Sequence, residues 1–150
     1  MNERSHDIST LNSLIATTLD SVDGYTEAAK DTENAGFVTL FTSLAAERRQ
    51  EVAKLQQAVS SHGGDPEDDG TILAGAHRVF LNLKSVVTGH DDKAIINEVE
   101  AGEDHIKAKY EDALRDRDLS PAVQSLIASA YDSVKSGHDK IRDIKHSMER

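Results

Sequence analysis

With 150 residues, the chain is long enough to bury a core without disulfides or a structural metal, and its unbroken composition sets the expectation of a single domain over residues 1–150. Aromatics make up 4%, proline occurs twice and tryptophan never, so sheet formers are too scarce for an all-β fold and the core has to come from Leu, Ile, Val and Ala. The absence of cysteine removes thiolate chemistry and disulfides, while a formal net charge of −10 opposes binding to nucleic acid or anionic lipid.

The opening residues, MNERSHDIST, lack an apolar signal region, and no later stretch approaches the roughly 20 apolar residues that span a bilayer. The expected setting is the cytoplasm, with neither a membrane nor a nucleic acid as partner.

Ile8, Leu11, Leu14, Ile15, Val22, Tyr25 and Ala29 recur with the 3.6-residue rhythm of one buried helix face, predicting a first helix over residues 7–32 with Asp7 as its cap. Asn34-Ala35-Gly36 gives a short reversal. Phe37, Leu40, Phe41, Leu44, Arg48, Val52, Leu55 and Val59 then carry a second helix over 35–61, stopped by His62-Gly63-Gly64-Asp65-Pro66. Leu73, Ala76, Phe80, Leu83 and Val87 predict a helix over 71–87, followed by the break at Thr88-Gly89-His90-Asp91-Asp92. Ile95, Ile96, Val99, Gly102, Ile106, Tyr110 and Leu114 predict one over 92–116. Ser120-Pro121, a capping residue followed by the favoured first-turn proline, opens the last, over 121–148, with Val123, Ile127, Tyr131, Val134, His138, Ile141 and Met148 on its inner side.

Four of these helices are long, about 38 Å each at 1.5 Å per residue, and the short loops fold them into two antiparallel hairpins. The segment between the hairpins is long enough, with a helix of its own, to return the chain along the bundle. That is the one-crossover topology of an all-α, ferritin-like four-helix bundle with a long helical crossover.

Turning each residue by about 100° along its helix separates surface charges from inward ones. On the first helix Asp20, Asp23 and Glu27 fall outside the apolar stripe, leaving Thr18 and Tyr25 as its inward polar groups. Arg48 and Glu51 lie within the stripe of the second helix with Glu47 at its edge; Glu103 lies between Val99 and Ile106, and His138 between Val134 and Ile141. Asp104 and His105 point outward. Counting from the turns brings Thr18, Glu47, Arg48, Glu51, Glu103 and His138 to one height.

Buried charges cost several kcal/mol unless paired or bound to a metal, so this layer has two readings. In the first, Glu47, Glu51, Glu103 and His138 hold iron or another divalent metal, with Arg48, Tyr25 and Tyr110 around them. The usual ligand pattern is only half supplied: Glu47-x-x-Gln50 and Lys135-x-x-His138 stand where Glu-x-x-His is expected, and the first helix has no inward carboxylate. In the second, Arg48 neutralises Glu51 or Glu103, His138 completes the hydrogen bonding, and the protein is a non-enzymatic structural, stress-associated or protein-interaction bundle, with self-association as one outlet. Asp65-Pro66-Glu67-Asp68-Asp69-Gly70 imitates the start of a calcium loop, but Ala76 stands where the bidentate Glu is required, and solvation or helix capping explains His90-Asp91-Asp92.

The ordered set Leu11-Asn12-Ser13-Leu14-Ile15, Asp20 to Gly24-Tyr25, Leu44-Ala45-Ala46-Glu47-Arg48, Gly63-Gly64-Asp65-Pro66, Gly75-Ala76-His77-Arg78, Glu100-Ala101-Gly102-Glu103-Asp104 with Tyr110, and His138-Asp139-Lys140-Ile141-Arg142 covers nearly the whole chain. It resembles a bacterial family of ferritin-like four-helix-bundle domains of unknown function. The resemblance implies a ferritin-like bundle akin to di-iron carboxylate proteins and brings no established activity.

Overall fold

The computed structural model describes residues 3–68 and 92–148. Four helices occupy them: α1 (Glu3–Asp31), α2 (Ala35–Ser61), α3 (Asp92–Leu114) and α4 (Pro121–Met148). The predicted helix over 71–87, which carries His77 and Arg78, lies outside the described residues, as do His90 and Asp91 of the break after it. The first helix begins four residues before its expected start, so Asp7 is not its cap; the carboxylate instead accepts from the Ser120 backbone N–H at 3.0 Å across the bundle.

Local chemistry accounts for the helix ends. Asn34 sits in an extended conformation and its side-chain oxygen accepts from the Phe37 N–H at 3.1 Å, capping α2. At the other end Gly63 takes a left-handed φ of 82°, and the N–H groups of Gly63 and Gly64 reach back to the carbonyls of Ser60 and Val59 at 3.0 and 2.9 Å. This terminator needs the glycine, because a Cβ disfavours that φ. Gly64 then packs on Ile8, where an added Cβ would lie 2.8 Å from a side-chain carbon. Ser120 caps α4 ahead of Pro121, its Oγ accepting from Val123 N–H at 3.4 Å. Replacing Asn34 by Ala should cost about 1 kcal/mol. A urea midpoint within error of the native value would show that the cap contributes nothing.

The pairing of the helices follows from contacts between them. Tyr25 meets Phe41, with ring centroids 5.9 Å apart, and Asn12 bonds to Asp65 O and Glu67 N–H, so α1 and α2 are antiparallel. Lys145 pairs with Glu100 and Tyr131 with Glu111, so α3 and α4 are antiparallel too. Thr32 donates to Asp92 at one end of the bundle and His6 meets Asp116 at the other, which sets α3 against α1. The chain therefore leaves α2 at one end and enters α3 at the opposite end, with α2 and α3 parallel. This is the ferritin-like order.

The core divides into two apolar clusters. One holds Leu11, Ile15, Val52, Leu55, Ile106, Tyr110, Ile127 and Val134, the other Val22, Tyr25, Phe41, Ala45, Ile95, Val99 and Ile141. Each helix passes from one to the other in a single step: Ile15 to Val22, Ala45 to Val52, Val99 to Ile106, Val134 to Ile141. The residues inside those steps form a polar layer across the middle of the bundle. Among the described residues, no helix is long and apolar enough to cross a membrane.

Candidate functional site

Thr18, Arg48, Glu51, Glu103, Gly137 and His138 all fall within the four steps. Arg48 and Glu103 form the centre. Nη1 and Nη2 of Arg48 donate to the two carboxylate oxygens of Glu103 at 2.8 and 2.7 Å, and the side chains are 1% and 0% exposed. A planar guanidinium matches a carboxylate in this forked geometry, which is the stronger kind of hydrogen-bonded ion pair. Burial works against the Arg48 charge, but the Glu103 carboxylate outweighs it and holds the guanidinium above its ordinary range.

Aromatic hydroxyls line the pair. Arg48 lies over the ring of Tyr25, 5.6 Å from its centroid. Burial, then the neighbouring Glu103 carboxylate, push the Tyr25 phenol well above its ordinary value. Thr18 spends its one proton on the Leu14 carbonyl at 2.6 Å, so the Tyr110 hydroxyl is the donor in its 2.7 Å contact with Thr18 Oγ1. Burial pushes the Tyr110 phenol up to about 12. Both phenols are therefore neutral hydrogen-bonding groups near pH 7.

Gly137 makes room for this arrangement. A Cβ built there would stand 2.7 Å from Arg48 Nη2 and 3.4 Å from both Glu103 Oε1 and a Leu44 methyl. Mid-helix glycine normally weakens a helix, and here the close approach of the guanidinium accounts for it.

The remaining candidates are not gathered into the same set. Glu51 is buried on the Arg48 face and meets Lys54 Nζ at 3.4 Å. Glu47 is half-buried and acts on Tyr25 through its charge. His138 is at the right height, but its imidazole turns to the rim, with Nε2 2.7 Å from Asp104 and Nδ1 3.2 Å from Asp139. The bond to His138 holds the Asp139 carboxyl below the usual range. Asp104 is 63% exposed, in line with its outward expectation.

A metal in this layer would need carboxylates with free lone pairs and an imidazole turned inward. Both oxygens of Glu103 are bonded to Arg48, His138 faces the rim, and no group of three or more His, Asp or Glu able to hold a metal occurs among the described residues. The residues as arranged do not fit a metal.

Besides His138, Asp20 and His105 depart from the helical wheel. Asp20, expected outside, is fully buried, and α1 is buried nearly all round from Leu14 to Tyr25. The run of small residues there, Ala16, Thr17, Thr18, Ser21 and Gly24, is the sequence signal of a helix packed on more than one side. His105, also expected outside, is only partly exposed, and its buried Nε2 has no hydrogen-bond partner among the described residues. Burial and then Lys109 lower its pKa, with Asp20 acting in the opposite direction. A lowered folded-state pKa means that the unfolded chain binds the proton first, so stability falls as pH drops below about 6.5. His105→Gln should flatten that limb of the denaturation midpoint against pH. An unchanged slope would assign it elsewhere.

Residues 6–116 match a protein family described as Domain of unknown function (DUF2383). The chain belongs to this family. Its bundle is also similar to two solved structures. A mutant of Dps1 from Mycobacterium smegmatis superposes with a TM-score of 0.78 over 95% of this chain and 97% of that one, at 11% identity. A structure described as ferritin-like, diiron-carboxylate proteins from Bacillus anthracis superposes at 0.70 over 97% and 99%, at 13% identity. At these identities the likeness establishes the ferritin-like fold alone. No curated protein matches the chain.

Proposed function

We propose that this DUF2383 chain is a non-enzymatic ferritin-like bundle, a structural or interaction protein that acts through its outer faces, self-association included, rather than through redox chemistry at its centre. The observation that carries the reading is the buried Arg48–Glu103 pair, which uses both oxygens of the innermost carboxylate. In this reading Arg48, Glu103, Tyr25, Tyr110 and Thr18 hold the two halves of the core in register, and His138 ties α4 to α3 through Asp104. Metal binding by Glu47, Glu51, Glu103 and His138 is the competing reading. It draws support from the diiron-carboxylate description of one similar structure.

The test uses untagged native protein. Its iron and manganese content, its oxidation of added Fe²⁺ in air and its melting temperature with and without chelator are compared with those of Glu103→Gln. The expected result is negligible metal, Fe²⁺ oxidation at the buffer rate and melting unaffected by chelator. Near-stoichiometric metal in the native protein that disappears in Glu103→Gln would overturn the proposal. Light scattering on the same sample reads self-association.

A further inference from the structure

The disagreement between this centre and a metal site has a specific physical form. The polar layer does contain a cation, supplied by the chain itself. Its charge is delocalised over a planar group, both of its forked donors reach the 0%-exposed Glu103, and the Tyr25 ring lies beneath it. Around it are oxygen donors of the kind that bind hard divalent ions: Glu103, the buried Glu51, and the hydroxyls of Tyr25, Tyr110 and Thr18. An oxygen-lined, carboxylate-bearing interior requires a positive charge, and one is present.

We infer that the Arg48 guanidinium is the resident cation of this bundle, filling the centre in place of a divalent metal and excluding one. Gly137 is the positioning residue that gives it space, since a side chain there would meet Nη2 at 2.7 Å. The inference rests on the non-metal reading above and extends it. The vacancy left by removing Arg48 should take up a divalent ion of the Mn²⁺ or Co²⁺ class, with Glu103 as its principal ligand.

The experiment compares the native chain, Arg48→Ala, Gly137→Ala and the double variant Arg48→Ala with Glu103→Gln. Equilibrium dialysis against Mn²⁺ or Co²⁺ and thermal melts followed by circular dichroism are run on each. Native protein should bind neither ion. Arg48→Ala should bind about one equivalent and melt about 5 °C higher with metal than without, a response lost when Glu103 is also replaced. If Arg48→Ala is unfolded alone, metal should refold it, because binding to the folded form alone shifts the equilibrium towards it.

Gly137→Ala, which crowds Arg48 without removing its charge, should bind no metal. Arg48→Ala that neither binds nor refolds with either ion would overturn the resident-cation inference while leaving the non-metal function intact. Glu103-dependent metal in the native chain would overturn both.

Discussion

Glu103→Gln should be the most damaging single substitution in the middle of the bundle, lowering stability by about 3–5 kcal/mol. The loss comes from a guanidinium left inside the protein without its counter-charge, and such half-broken buried pairs cost that much. Replacing both partners removes the stranded charge. Arg48→Met together with Glu103→Leu should therefore recover most of the stability and come within about 1 kcal/mol of the native protein, since well-packed apolar replacements of buried pairs are often neutral or better. Urea midpoints with unchanged slopes would measure both effects. If the double variant were as unstable as the single one, the damage would lie in packing rather than in the unpaired charge.

Gly137→Ala makes a sharper demand, because two effects of opposite sign compete at one atom. In an ordinary helix the change stabilises by about 1 kcal/mol. Here the new methyl would lie 2.7 Å from Nη2 of an arginine that is 1% exposed and held by two bonds, so it has nowhere to retreat. Overpacking a tight site costs about 1–3 kcal/mol, which offsets or exceeds the helix gain. A net loss of up to about 2 kcal/mol is expected in the native background. In the Arg48→Met, Glu103→Leu background the crowding is relieved and the sign should reverse. A substitution that stabilised in both backgrounds would mean that glycine is not there for the guanidinium.

The architecture was legible because apolar spacing, the Asn34-Ala35-Gly36 reversal, the Ser120 cap and the Gly63-Gly64 stop all point to the same helices. Helix counting also reached the height of the polar layer, since residues on antiparallel neighbours pass each other at a fixed rise. It did not reach side-chain direction. The wheel placed His138 inward, but it fixes only the direction of Cβ, and rotation about the side-chain bonds brings the imidazole to Asp104, 2.7 Å away on the rim side.

The same limit hid the burial of Asp20, because a wheel centred on one apolar stripe assumes one packed face, and α1 is enclosed on several. Arg48 was visible as an inward charge, but its choice of Glu103 over Glu51 was not. Glu51 lies on the same helix as Arg48, whereas Glu103 faces it across the middle of the bundle from the diagonally opposite helix, at the distance a forked pair requires.

At the end of the bundle where α1 begins, the Asp7 carboxylate accepts from the backbone of Ser120, 113 residues further along the chain, and His6 meets Asp116 across 110. Contacts so distant in sequence form late, because a long loop has to close first. During synthesis at about 5–20 residues per second, Asp7 waits roughly 6–23 s for its partner to be made. The α1–α2 hairpin can take shape in that interval through its own contacts, yet Asp7 and His6 find these partners only when the turn that leads into α4 is made. The turn between α3 and α4 therefore fixes the first turn of α1.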